Sequence, residues 1–251
     1  MLFDSHCHVF DEKFNDDIEL VMDKCRDMRL MIVGFNIDTN NLAHDFAYKY
    51  NHYYSVGVHP TDVSSIDYPY FDILEELLKD EKCLAIGECG LDYYWYKDNK
   101  ELQKKYFIKQ IELSIKYNMP LIIHVRDAIN DAYEILKEYK GKIKGVMHSY
   151  SGSYEMAIKF IDLGLLIGLS GPVTFKNAVV PKEVALKVPL EKILIETDCP
   201  YLTPHPFRGK RNNPTLVKYT CQEIARIKEI SDLEVENMTY KNAVMLFGLE
   251  E

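Results

Sequence analysis

Apolar residues along the chain recur as short, β-rich runs, each followed by a longer stretch in which apolar positions return at helical spacing. The runs predict strands over Leu2–Val9, Leu30–Ile37, Tyr53–His59, Cys83–Leu91, Pro120–Arg126, Lys144–Ser149, Leu165–Ser170 and Lys192–Asp198. Between them the spacing predicts helices such as Ile18–Met28, Tyr70–Lys79, Lys100–Asn118, Asn130–Tyr139 and Tyr154–Leu163, with a closing pair over Thr215–Ile230 and Leu233–Phe247. Eight such βα repeats in 251 residues are the pattern of an α/β fold of the (β/α)8 TIM-barrel type. A doubly wound sheet is the alternative, but no GxGxxG follows the first strand. No repeat at a solenoid period and no linker-like stretch divides the chain, so residues 1–251 are read as one domain.

Composition narrows the class. With 47% hydrophobic and 27% charged residues the chain matches soluble globular proteins, which excludes disordered, collagen-like and low-complexity classes. The longest apolar run, Leu163–Leu169, is broken by Gly164 and Gly168 and falls well short of the roughly 18 residues a membrane helix needs. The first residues carry neither a basic nor an apolar leader segment, so the expected location is the cytoplasm, with no membrane partner. Cys7, Cys25, Cys83, Cys89, Cys199 and Cys221 form no CxxC pair and are expected to be reduced thiols. A net charge of −9 argues against a hold on duplex DNA by bulk charge, while leaving room for a local basic site.

A barrel of this type builds its active site at the C-terminal ends of its strands. The residues that fall there are His6 and His8 on the first strand, His59 on the third, Glu88 on the fourth, His124 on the fifth, His148 on the sixth and Asp198 on the eighth. A single strand-end histidine is ordinarily a hydrogen-bonded core or loop residue. The convergence of His6, His8, His124 and His148 with Glu88 and Asp198 on one rim is instead the donor set of a divalent metal site, with neutral nitrogens, anionic oxygens and no obligatory thiolate. Alternation along a strand turns His6 and His8 one way and Cys7 the other, and sets Cys89 against Glu88 and Cys199 against Asp198. Those thiols are read as packing.

The segments around these residues resemble the TatD family of metal-dependent hydrolases and deoxyribonucleases. They are Asp4-Ser5-His6-Cys7-His8, Gly57-Val58-His59-Pro60, Gly87-Glu88-Cys89-Gly90-Leu91-Asp92-Tyr93-Tyr94, His124-Val125-Arg126, His148-Ser149-Tyr150-Ser151-Gly152 and Glu196-Thr197-Asp198-Cys199-Pro200-Tyr201-Leu202. Ser149-Tyr150 departs from the Cys-Phe more usual in the family, at positions that are not ligands. The resemblance implies two divalent metal ions, Mg, Mn or Zn. One would be held by His6, His8, Glu88 and Asp198 and the other by Glu88, His124 and His148, with Glu88 bridging. It also implies a deoxyribonuclease that works from the 3′ end of a strand. In such a two-metal centre an acidified water attacks in line while both ions stabilise the developing charge. Asp198, together with Glu88, is the catalytic candidate: it would orient that water and accept its proton, the bland alternative being a helix-capping aspartate before Pro200.

Substrate contacts are less sharply marked. Arg126 shares the parity of His124 and is a candidate phosphate contact, or else an internal salt bridge with Asp127 or Glu88. Arg208, Lys210 and Arg211 fall in a loop after the eighth strand and either meet substrate or form a solvated surface segment. Tyr93, Tyr94, Trp95 and Tyr96 either stack on unpaired bases or pack a long loop. His59 is a contact to phosphate or to the water of the metal site, or a structural residue behind the ligands, and Asp92 is read as a loop anchor. The leading functional reading is cleavage of phosphodiesters at single-stranded DNA ends, with no obligatory protein partner. The alternatives are an amide or ester hydrolase, for instance of a mischarged aminoacyl-tRNA, and a metal-binding scaffold without catalysis.

Overall fold

The computed structural model describes residues 1–67 and 69–250. Among them, eight strands pair in sequence order, each parallel to the next: β1 (Phe3–Cys7), β2 (Arg29–Val33), β3 (Tyr53–Val56), β4 (Cys83–Asp92), β5 (Leu121–Arg126), β6 (Gly145–Met147), β7 (Leu165–Leu169) and β8 (Ile193–Ile195). Just past the last strand the sheet meets its first: the His8 amide donates to the Cys199 carbonyl at 2.8 Å and the Asp198 amide to the His6 carbonyl at 2.9 Å. Asp4 reinforces that seam by accepting from the Thr197 amide and hydroxyl. The result is a (β/α)8 barrel. None of its helices is long and apolar enough to cross a membrane among the described residues.

All eight expected strands are present, but most are shorter at the C-terminal end than the apolar runs suggest. His8, His59, His148 and Asp198 lie just beyond the ladder, where the chain turns outward and side chains are free to converge on the axis. The expected run Leu30–Ile37 is corrected most: the strand stops at Val33, and Asn36 caps helix α2 (Ile37–Tyr50) through reciprocal bonds with Thr39. Only a faint apolar stripe announces that helix. The other helices are α1 (Ile18–Asp23), α3 (Tyr70–Leu77), α4 (Lys100–Tyr117), α5 (Ile129–Lys137), α6 (Tyr154–Asp162), α7 (Val180–Lys187), α8 (Val217–Lys228) and α9 (Asp232–Phe247).

Two apolar layers hold the fold. Outside the sheet a large cluster packs strands on helices and includes the thiols of Cys7, Cys89 and Cys199, as the alternation argument expects. Inside, Phe3, Met31, Val33, Ala85, Ile122, Val146 and Leu194 fill the lower barrel. Ala243, Leu246 and Phe247 of α9 plug its N-terminal end, with Phe247 stacked on Phe3 at 5.6 Å. Burying each large side chain stabilises the fold by about 1.5–3 kcal/mol. Phe3 lies inside the barrel and Cys7 outside, although regular alternation would give them one face; the register shift between Asp4 and Cys7 supplies the inversion. That shift is what brings His6 and His8 to the mouth above an apolar Phe3.

Helix α2 is drawn close to the sheet. A Cβ on Gly34 would lie 2.7 Å from the Asn40 Cα, so only glycine admits the helix at this depth. Asn40 then donates to the Gly57 carbonyl at 2.9 Å and the Tyr70 hydroxyl at 3.0 Å, and accepts from the Gly57 amide. At its far end the chain buries His52, whose imidazole is pushed down to about 4 by burial and by the nearby charges of Lys82 and Arg29. His52 is therefore neutral in the fold and protonates more readily once unfolded. The stability this contributes is complete above about pH 6.5 and is lost as the pH falls towards 4. Thermal melts should show His52→Gln losing less stability than wild type between pH 6.5 and 4, by roughly 2 kcal/mol. Parallel curves would show that His52 does not govern acid sensitivity.

Candidate metal centre

Glu88, near the middle of β4, projects into the barrel mouth with its side chain 8% exposed. Its Oε2 faces His6 Nε2 at 3.5 Å and His8 Nε2 at 3.7 Å. Its Oε1 faces His124 Nδ1 at 3.2 Å, His148 Nε2 at 3.3 Å and His59 Nε2 at 3.5 Å. Asp198 Oδ1 completes the first group, 3.5 Å from His8 Nε2 and 3.7 Å from His6 Nε2. The two carboxylate oxygens of Glu88 thus look toward two different sets of imidazoles. The structure brings together all six residues expected to bind metal.

The backs of the rings matter as much as their fronts. His8 Nδ1 lies 2.8 Å from the Val33 carbonyl, which fixes the proton there and leaves Nε2 as a lone pair facing the site. His148 Nδ1 meets Glu196 Oε1 at 3.1 Å, again freeing Nε2. His124 is turned the other way, with Nε2 3.1 Å from Asp92 Oδ2 and Nδ1 toward Glu88. The His6 and His8 Nε2 atoms approach within 3.1 Å of one another. Imidazole lone pairs aimed at one another and at carboxylates, with acceptors behind them, suit divalent cations of the borderline class. The donor chemistry fits the group.

Burial alone would raise the Glu88 pKa, but the His59 and His148 charges and the bonds from His124 and His148 hold it well below the usual carboxylate range. Burial likewise opposes charge on Asp198, whose bond to His8 and neighbouring imidazoles keep it low. Burial depresses His6, with His148 adding to the effect. For His148, burial is overcome by Glu196 and Glu88, which hold it well above the ordinary value. The site therefore keeps both carboxylates anionic.

Above these donors opens a cavity of about 980 Å³. His59 lines it, its Nδ1 2.6 Å from the Thr61 hydroxyl. Arg126 lines it from the end of β5 and forms no ion pair among the described residues. Neither Asp127 nor Glu88 pairs with it, and its guanidinium lies 3.8 Å over the Tyr94 ring and 5.5 Å from that of Trp95. Arg208, Lys210 and Arg211 do not line this cavity, which favours the surface-segment reading of the two open for their loop. Arg211 makes a forked pair with Asp17 at 2.6 and 2.8 Å and covers Phe14, Arg208 lies 4.1 Å over Phe175, and Lys210 faces Phe207. The physical reason is local: a guanidinium fork closes on the carboxylate within reach. Asn212, bonded to the Thr197 and Tyr201 carbonyls, folds the loop back on the chain.

From the sequence, Asp92 is expected only to anchor its loop. Its Oδ1 does accept from the Tyr94 and Trp95 amides, at 2.9 and 3.0 Å, but its Oδ2 also orients His124. Glu196 was not singled out at all. Its place two residues before Asp198, on the same face, was the available signal.

A rim of four imidazoles and two carboxylates on a (β/α)8 barrel supports a divalent-metal protein. Comparison with known proteins specifies which kind. The chain belongs to the family described as TatD related DNase, whose model matches residues 3–248. It is 43% identical over 254 residues to YabD of Bacillus subtilis, described as an uncharacterized metal-dependent hydrolase, with 99% of this chain and 100% of the relative covered. It is 36% identical to YcfH of Escherichia coli K12, which bears the same description, with 99% and 96% covered. The crystal structure of YjjV, a TatD homologue from Escherichia coli K12, superposes with a TM-score of 0.89 at 25% identity, covering 99% of this chain and 98% of that one.

Replacing a carboxylate that orients a metal-binding histidine typically weakens metal affinity by about 10–100-fold. Asp92→Asn and Glu196→Gln are each expected to show such a loss in chelator-competition titrations. An unchanged affinity in both would separate these residues from the metal centre.

Proposed function

We propose that this hydrolase is a two-metal phosphodiesterase that removes nucleotides from single-stranded DNA ends, 3′ to 5′ as the family resemblance implies. The observation that carries the two-metal reading is Glu88, whose two oxygens each serve a separate group of imidazoles. His6, His8 and Asp198 would hold one ion, His124 and His148 the other, with Glu88 shared. Divalent ions such as Mg, Mn or Zn held there would supply Lewis acidity, acidifying water and stabilising charge that develops on phosphoryl oxygens.

The chain's own residues do the rest. Asp198, whose side chain is 17% exposed against 8% for Glu88, borders the cavity and receives the proton of the attacking water at its carboxylate. Arg126, stacked on Tyr94 and free of ion pairs among the described residues, offers the N–H edges of its guanidinium to a phosphate. The recessed mouth favours a strand end over an unbroken duplex. Six free, buried cysteines fit a reducing compartment such as the cytoplasm.

The deciding experiment is turnover of end-labelled single-stranded DNA, RNA, duplex DNA and a panel of acyl esters by metal-stripped protein reconstituted with Mg²⁺, Mn²⁺ or Zn²⁺. Stepwise shortening of single-stranded DNA from the 3′ end is expected; hydrolysis of esters alone would replace this reading with an acyl hydrolase. Glu88→Ala should lower metal content at both groups in elemental analysis, whereas undiminished content would remove the shared carboxylate. Asp198→Asn should retain metal yet lose activity by about 100-fold or more. Full activity in that variant would take the proton transfer away from Asp198.

A further inference from the structure

One wall of the cavity is not used by the chemistry described so far. Phe10, at the turn after β1, Phe35, after β2, and Leu42 and Phe46, on α2, together give that side an apolar lining. The rings form a continuous chain from the metal donors outward: His8 lies 5.8 Å from Phe10 and 5.4 Å from Phe35, and Phe10 lies 6.2 Å from Phe35 and 6.5 Å from Phe46. None of the four is buried, and Leu42 is 40% exposed. Helix α2 is built to present them. Asn40, Ala43 and Ala47 form its buried face and lock it to the sheet through Gly34 and Gly57, so that Thr39, Leu42 and Phe46 on the adjacent face look into the cavity. Phe10 and Phe46 pack against the core behind them, which holds this apolar surface preformed beside a highly polar centre.

We propose that this wall is the subsite for the base of the terminal nucleotide, a reading that rests on the nuclease assignment above and deepens it. Three features select a nucleobase. The lining offers flat phenyl faces, on which any base can stack whatever its sequence. The outer edge carries Asp11 and Glu12, which repel a phosphate and turn the backbone away. Arg126 stands half-way round the barrel, at β5, across the cavity from this wall, so a phosphate held at Arg126 leaves the β1 and β2 side open to the attached nucleoside.

The test pairs two strands with three proteins. One strand ends in an ordinary 3′ nucleotide and the other in an abasic tetrahydrofuran residue; wild type is compared with Leu42→Asp and, separately, Phe46→Ala. KM and kcat are measured with Mn²⁺, and Kd by fluorescence anisotropy with Mn²⁺ and strands whose terminal linkage is non-hydrolysable. Melting temperature and metal content serve as folding controls, and the exposed position of Leu42 makes its variant the safer one. In wild type, loss of the base should raise KM and Kd on the order of tenfold, with kcat changing much less. In either variant the ordinary strand should already carry that penalty, and removing its base should then cost less than about twofold, because both changes delete one interaction. If the two penalties multiply, or the variants bind both strands as wild type does, the wall does not hold the base and the proposal falls while the nuclease reading stands. If neither strand binds or is cut and only acyl esters turn over, the nuclease reading itself falls, and the base subsite with it.

Discussion

A single carboxylate, withdrawn from water and ringed by imidazoles, organises this molecule. Glu88 has five histidines with a nitrogen within 3.7 Å of its oxygens, and they come from β1, β5 and the turns after β1, β3 and β6. Burying an anion costs several kcal/mol unless neighbouring groups compensate it. No local motif can supply that many partners, because consecutive residues on one strand point in opposite directions. Only a closed sheet, in which every strand ends on the same rim, brings side chains so distant in sequence onto one carboxylate. Close approach of backbones is part of the same requirement. A Cβ at Gly57 would stand 2.7 Å from the Gly87 carbonyl carbon, so the chain leaving β3 meets β4 beside Glu88 only because Gly57 lacks a side chain.

The centre is layered. The nitrogens that face inward are set by acceptors that face outward: the Val33 carbonyl for His8, Asp92 for His124 and Glu196 for His148. Two of these acceptors are themselves carboxylates, so negative charge is distributed behind the rings as well as between them. This raises the donor strength of the imidazoles and fixes their tautomers before any cation arrives.

How much of this could be read along the chain depended on the kind of signal. The strand count, and with it the barrel, was legible because each β-run is apolar and bounded. The inward residues were legible because they fall at strand ends with the right parity. Strand length was not: the runs continue past the ladder because residues such as Val58 and Thr197 remain buried after pairing stops. Helix α2 was hidden by its composition, since its contact face is built from Asn40, Ala43 and Ala47 and its attachment from a glycine and an amide side chain. The orientation of the basic loop was not legible for a different reason. Arg211 carries no sequence mark of its partner Asp17, 194 residues away, and a charge in a loop after the last strand says little about which way it turns.

The plug formed by α9 joins the two ends of the chain. Phe247 and Leu246 seal the barrel floor against Phe3, and α9 follows every strand in the chain. The seal that keeps water from the barrel interior is therefore made by the first strand and the last helix together, with Phe247 stacked on Phe3. The barrel is closed twice by its termini: beside the mouth, where β1 meets the chain after β8, and at the floor, where the last helix covers the first strand.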